Sequence, residues 1–209
     1  MLRELIASYA RTPRPRRIAV VGNAPLGPDP GRAALVDGCD LVVRITSLAV
    51  DRPGELPALG RRCDVVVLHR GVLASPFTFA DYTSRLYLLV EPGRLHWEPE
   101  VLPDWWPMDL GFVPVSNYEF TLPLVHLLGL DVAEPVWPTT GTLATYLVSE
   151  LFPEATTLLT GMSIVDNPEQ TTFRHAWGDA VEVTAEHRLS AEAELLRRWN
   201  AEGRIRLLP

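Results

Sequence analysis

The 209-residue sequence contains no lysine; all 19 of its basic residues are arginine, set against 26 aspartates and glutamates. The net charge of -7 offers no basic footprint of the kind non-specific nucleic-acid binding needs. No nucleic-acid partner is expected, and an anionic ligand must be held by local groups instead of by the field of the whole chain. Cysteine is scarce too. Cys39 and Cys63 form no CxxC pair, which excludes a structural zinc site and argues against a disulfide framework. No window reaches the roughly 18 apolar residues of a membrane-spanning helix, so no membrane span is expected. The opening MLRELIASYARTPRPRR has neither an apolar signal core nor a small-residue cleavage site. It reads as a short amphipathic helix and a basic linker over residues 1–16, and the expected location is the cytoplasm. GxGxxG, Gly-Lys-Ser/Thr, HExxH and DxD are all missing. NAD and P-loop readings therefore drop, and no metal ligand set is predicted.

Hydrophobic residues make up 47% and charged residues 22%, the range of a globular chain long enough to bury a core. Residues 1–209 read as one domain. The all-arginine, proline-rich composition suggests a GC-rich coding sequence and a bacterial source. Short apolar runs recur at Arg17–Gly22, Leu41–Ile45, Asp64–His69, Arg85–Val90 and Thr156–Thr160. A weaker run covers Gly111–Val115, where Pro114 has no N–H to give a ladder, and Ile205–Leu208 reads as a last edge strand. Helical spacing falls between them, over Leu122–Leu130, Thr142–Phe152 and Ala191–Ala201. Apolar strands alternating with helices predict a mostly parallel sheet of about seven strands covered on both faces. The expected fold is a single Rossmann-like α/β/α domain, with ligands beyond the carboxyl ends of the strands.

Several residues on such strand ends and helix starts can carry chemistry. The first strand runs into Gly22-Asn23, a turn that brings backbone amides toward an anion, although Asn and Gly are also ordinary turn formers. Arg44 stands inside an apolar strand, where it must be paired, for example with Asp37 or Asp40, or must serve a site. Pro138-Thr139-Thr140-Gly141-Thr142 supplies hydroxyls and free amides at a helix start, either a plain cap or an anion site. His175 lies in Phe173-Arg174-His175-Ala176-Trp177-Gly178-Asp179. His187 precedes the last helix, with Glu192 in its first turn, where the carboxylate orders the helix start or orients the imidazole. Histidine is suited to proton transfer near neutrality. His69, His96 and His126 have no neighbour in sequence that sets them apart from ordinary loop histidines. The Trp97, Trp105 and Trp106 loop, rich in proline, either covers one end of the core or binds a partner.

In order, these motifs resemble those of the animal-type sialyltransferase family in a compact bacterial form. The family's large motif is similar to Ala19-Val20-Val21-Gly22-Asn23-Ala24 followed by Gly31, Val36-Asp37 and Asp40-Leu41-Val42-Val43-Arg44-Ile45-Thr46. The small motif resembles Pro138-Thr139-Thr140-Gly141-Thr142 with its helix and the strand Leu158-Leu159-Thr160-Gly161-Met162. The third motif looks like His175-Ala176-Trp177-Gly178-Asp179, and the very small motif, His-x4-Glu, like His187 to Glu192. The match runs from about Arg17 to the C-terminus.

The resemblance implies inverting, metal-independent transfer of a sialic acid from a CMP-sugar to an acceptor hydroxyl. The donor is then a co-substrate, no cofactor is expected, and the partners are a CMP-activated sugar acid and a glycan or small-molecule acceptor. By the same resemblance Asn23 contacts the CMP phosphate or ribose. Thr139, Thr140 and Gly141 hold the nucleotide and sugar carboxylate, while Gly161 admits the cytidine. His175 donates to the leaving phosphate and His187 is the general base. Gly22, Arg44, Thr46, Thr142 and Glu192 belong to the donor-site motifs. Thr46 stands where the family has asparagine and Ala24 where it has serine, and the family's disulfide has no counterpart. These changes leave open a related keto-sugar such as Kdo, a hydrolase of CMP-sugars or CMP conjugates, and a non-catalytic CMP-binding module. The tryptophan loop serves an interface as readily as an acceptor, so a homo-oligomer is also open.

Overall fold

The computed structural model describes residues 1–91 and 102–209. In chain order the regular elements are α1 (Leu2–Ala7), β1 (Arg17–Val21), α2 (Pro30–Asp37), β2 (Leu41–Ile45), β3 (Val65–His69), β4 (Leu86–Val90) and β5 (Val113–Pro114). They continue with α3 (Leu122–Leu127), α4 (Thr140–Leu151), β6 (Thr156–Thr160), β7 (Thr172–Arg174), β8 (Ala180–Glu182), α5 (Leu189–Ala201) and β9 (Ile205–Leu207). Seven strands form one sheet in the order β5-β4-β3-β2-β1-β6-β9, and every neighbouring pair is parallel. The fold is the Rossmann-like α/β arrangement that the alternating pattern predicts.

The strands are apolar along nearly their whole length because both sheet faces are covered. In β1, Ile18 and Val20 face a layer that includes α4 and α5, where Leu143, Leu147, Leu196 and Trp199 are buried. Ala19 and Val21 point to the opposite face, against Val36 of α2 and Leu158. Full burial of a leucine or valine side chain contributes about 1.5–3 kcal/mol before the entropy of ordering is set against it.

Strand order fixes where a ligand crevice opens. The chain moves outward from β1 through β2, β3, β4 and β5, then returns to place β6 on the other side of β1. That reversal makes the carboxyl ends of β1 and β6 a topological switch point, where connections part to opposite sides and leave a cleft.

The strand cores match the apolar runs, with trimmed ends. Pro114 lies on the two-residue edge strand β5, where its missing N–H is tolerated. Helix ends differ more. The segment expected to be helical over Leu122–Leu130 begins as a π-helical turn at Asn117–Thr121 and ends its α-helix at Leu127, ahead of Gly129 with φ of 70°. α4 begins at Thr140 because Thr139 caps it, its side chain accepting from Thr142 N–H. Three elements went unread. α2 carries an Asp29 N-cap that accepts from Arg32 N–H, followed by Pro30, a standard helix-start pair. β7 and β8 form an antiparallel hairpin too short for a period to show.

Of the tryptophan loop, Trp97 lies outside the described residues, as does His96. Trp106 is buried against Phe79, Tyr87 and Phe112 on one sheet face, with its indole N–H donating to Leu110 O at 2.8 Å. It covers the core. Trp105 is 53% exposed and rests against Phe79.

Candidate active site

A cavity of about 330 Å³ opens at the carboxyl ends of β1, β2, β3, β4 and β6. The hairpin β7–β8 and the segment before α5 form its outer wall. Asn23, Thr46, Thr139, Thr140, Gly141, Gly161, His175 and His187 all line it. Residues separated by more than 160 positions in sequence thus meet in one cleft at the switch point.

Asn23 follows β1 and is 6% exposed. Its backbone is fixed, since its carbonyl accepts from Ala176 N–H at 2.7 Å. Its side-chain amide is not: neither Nδ2 nor Oδ1 has a hydrogen-bond partner among the described residues. Leaving a buried donor and acceptor unmade costs about 1–3 kcal/mol each. A carboxamide held in that state next to a cavity is matched by a ligand with both a donor and an acceptor.

The turn around Asn23 depends on two glycines that require one another. A Cβ on Gly22 would lie 2.2 Å from Gly161 O, and Gly161 adopts φ of 70° with its own Cβ position 2.8 Å from Gly22 O. Gly22 does not line the cavity; it lets β1 and β6 close on each other so that Asn23 and Gly161 do. Gly141 is packed against the Met162 side chain, whose thioether end a Cβ there would displace. The first turn of α4 therefore lies beside Met162, just after the end of β6. Thr140 and Gly141 belong to that first turn, whose N–H groups an α-helix leaves without intrahelical partners. Together with the helix dipole they favour an anion.

Three imidazoles line the cavity, each tied through Nδ1 to a different kind of group. His187 Nδ1 lies 2.9 Å from Trp137 O. A carbonyl only accepts, so Nδ1 carries the proton and neutral His187 presents the lone pair of Nε2. That is the arrangement of a general base. His175 Nδ1 lies 3.0 Å from Asp179 Oδ1. The other carboxylate oxygen of Asp179 accepts from Ser47 Oγ at 3.1 Å, and the turn is closed by His175 N–H donating to Asp179 O at 3.0 Å. In its imidazolium form this histidine donates from Nε2 while Asp179 holds the other nitrogen. His69, at the end of β3, is the third. Its Nδ1 accepts from Gly71 N–H at 3.1 Å. Burial pushes its pKa below the usual 6.5, and the charges of His187 and His175 act in the same direction.

Glu192 is 0% exposed and does not face the cavity. Its carboxylate reaches across from α5 to the start of α4. It accepts from Thr139 N–H at 3.1 and 3.0 Å and from Thr139 Oγ1 at 2.6 Å. Burial raises its pKa above the usual 4.5, opposed by hydrogen bonds from Thr139 and Thr142 and by the charge of His187. The carboxylate therefore orders the start of α4, not its own helix, and it contacts no imidazole nitrogen. His187 grips Trp137 O and Glu192 grips Thr139, so the residues before α4 are pinned from both ends of the His-x4-Glu segment. Thr142, fully buried at this junction, is likewise behind the cavity wall.

Arg44 also sits elsewhere than its motif position implies. It is 1% exposed, pairs with neither Asp37 nor Asp40, and does not line the cavity. Its guanidinium donates to four backbone carbonyls: Arg62 O at 2.7 Å, Ala49 O at 3.0 Å, Leu59 O at 2.9 Å and Gly60 O at 3.1 Å. Burial lowers its pKa below the usual arginine value, and it serves as a brace for the loop between β2 and β3. Thr46 does line the cavity, with φ of 30°. A β-branched residue in that region carries strain of order 1–3 kcal/mol. The strain is held by Thr46 N–H donating to Val67 O at 2.8 Å and Thr46 Oγ1 donating to Leu73 O at 3.0 Å.

Sequence reasoning missed His69 as a member of the site, and it placed Asp179 in the third motif without a role. His69 ends the run Val65–Leu68, and the rule that parallel strands point their carboxyl ends at the ligand was the signal available for it. The contact of Asp179 with His175 had no signal, since the turn that folds one onto the other is set by the hairpin. Among the described residues, no group of three or more His, Cys, Asp or Glu is placed to hold a metal ion.

The strand order, switch-point cleft and layered helices are those of a Rossmann-like α/β domain, and the fold is the one seen in mammalian sialyltransferases. One crystal structure of a mammalian sialyltransferase superposes with a TM-score of 0.59 and 17% identity, over 92% of this chain and 68% of that one. Another, of a mammalian sialyltransferase in complex with Gal-β-1-3GalNAc-ortho-nitrophenol, gives a TM-score of 0.57 and 17% identity, over 92% of this chain and 69% of that one. No family model matches the chain, and no curated protein matches it in sequence.

Proposed function

We propose that the protein is a metal-independent, inverting glycosyltransferase that moves a sialic acid or related keto-sugar acid from a CMP-sugar to an acceptor hydroxyl. The observation that carries this reading is the buried, unpartnered carboxamide of Asn23 beside a helix start and three imidazoles, within a fold shared with sialyltransferases.

Asn23 supplies a donor and an acceptor to the nucleotide's phosphate and ribose. The first-turn amides of α4, at Thr140 and Gly141, hold the phosphate's negative charge in place of a cation. The bond between the anomeric carbon and the phosphate oxygen breaks with its electron pair leaving on CMP, and His175 Nε2–H donates to that oxygen. Positive charge develops on the sugar ring, in an oxocarbenium-like transition state. The acceptor oxygen attacks from the opposite face and forms the new carbon–oxygen bond, inverting the anomeric centre. His187 Nε2 takes the hydroxyl proton as that bond forms. Positioned proton transfer of this kind contributes about 10²–10⁴-fold, and preorganised donors at the leaving group contribute on a similar scale.

The test is a product analysis. EDTA-treated protein is incubated with CMP-sialic acid and Gal-β-1-3GalNAc-ortho-nitrophenol, and CMP and acceptor masses are followed. Release of CMP matched by a sialylated acceptor is expected, with His187→Ala slower by at least about a hundredfold. Free sugar without a sialylated product would replace the transferase with a hydrolase. No turnover by the wild type with any CMP-activated acid would contradict both.

A further inference from the structure

The transferase reading leaves His69 without a task, although it lines the same cavity. Its tautomer is set by the backbone. Gly71 N–H donates to Nδ1 at 3.1 Å, so the lone pair is on Nδ1 and the proton of the neutral ring is on Nε2. Protonating Nδ1 would break that bond and oppose two N–H groups. Among the described residues nothing partners Nε2. In the neutral form of each ring His69 is therefore the inverse of His187: Nε2 carries an N–H in one and a lone pair in the other.

A neutral donor has a particular use here. A keto-sugar acid bears its carboxylate on the anomeric carbon, next to the charge that develops as CMP leaves. That carboxylate must be bound, yet a full cation against it would oppose the positive transition state. A neutral N–H holds the carboxylate and leaves its charge available to the ring. In the reading above the phosphate takes its partners at the ends of β1 and α4, and β2 separates β1 from β3 in the sheet, so the cavity groups at the end of β3 are left for the second anion.

We propose that His69 binds the carboxylate of the donor sugar through Nε2–H and is the residue that selects a carboxylated CMP-sugar. This rests on the transferase reading above. It makes His69 a substrate contact that the motifs do not assign, and it moves the carboxylate away from Thr139, Thr140 and Gly141, where the resemblance puts it.

The experiment compares three ligands by calorimetry: CMP, a non-transferable CMP-sialic acid analogue, and the methyl ester of that analogue. The proteins are wild type, His69→Leu and His69→Gln. A hydrogen bond to a charged group is worth roughly tenfold or more in affinity. Wild type is expected to prefer acid to ester by about that factor, with His69→Leu binding CMP normally and acid and ester alike. His69→Gln, which keeps a neutral N–H donor, is expected to recover most of the preference. If His69→Leu keeps the preference, or weakens acid and ester equally, the assignment is wrong. If wild type binds CMP and the analogue but draws no distinction between acid and ester, the assignment fails while the transferase reading stands. If wild type binds none of the three ligands, that reading fails and this inference with it.

Discussion

Arg44 and Asn23 are both polar residues buried beside the central strands, and they are opposites. Arg44 spends its guanidinium on four backbone carbonyls of one loop. Asn23 has a fixed backbone and an amide side chain with no partner among the described residues. The motif pattern placed both at the donor site, and the structure separates them. A buried polar group that is fully bonded belongs to the architecture, whereas one that is oriented and left unbonded marks where a ligand completes the set. The same contrast divides Glu192, saturated by the start of α4, from the imidazoles that line the cavity.

Mutations should separate the two groups by what they change. The largest effect on stability is expected at Arg44→Leu, which buries four unpaired carbonyls and removes the brace of the β2–β3 loop. We expect a loss of about 4 kcal/mol in urea unfolding. A loss below about 1 kcal/mol would show that the loop finds other partners. Glu192→Ala comes next. It strips Thr139 of its acceptor while leaving the cavity wall in place, so about 2–3 kcal/mol should be lost. CMP binding should weaken as well, because the first-turn amides lose their anchor. Unchanged CMP affinity in that variant would disconnect Glu192 from the site.

The smallest effect is on pH dependence. Burial raises the carboxyl pKa of Glu192 in the folded state above 4.5, so the folded protein binds that proton more tightly than the unfolded chain. Its stabilising share is complete below 4.5 and lost as pH rises through the folded-state value. Relative to Glu192→Gln, wild type should therefore gain stability as pH falls from about 8 to about 5, read by urea midpoints. A gap that is constant or of opposite slope would show that the hydrogen bonds from Thr139 and Thr142 outweigh burial.

The sheet was legible because strands covered on both faces are written as unbroken apolar runs such as Arg17–Val21 and Leu41–Ile45. α2 was legible in principle through Asp29-Pro30, but only eight residues long it left little helical period to read. The hairpin β7–β8, at three residues a strand, left no period at all. For the site, glycines, helix starts and histidines could be read by type and order, and Asn23, Thr140, Gly141, His175 and His187 do converge. What a sequence does not hold is where each side chain's hydrogen bonds go. That alone distinguishes Arg44 from Asn23, fixes the tautomer of His69 and joins Asp179 to His175.

The most direct test of the account is the Asn23 amide. EDTA-treated wild type and Asn23→Ala are titrated calorimetrically with CMP, with UMP, AMP and GMP as controls, and both are unfolded in urea. The expected result is selective CMP binding by wild type, weakened about tenfold in Asn23→Ala, at a stability equal to or above that of wild type. Absence of nucleotide binding, or CMP binding untouched by the substitution, would contradict the claim that this unpartnered side chain is there for a ligand.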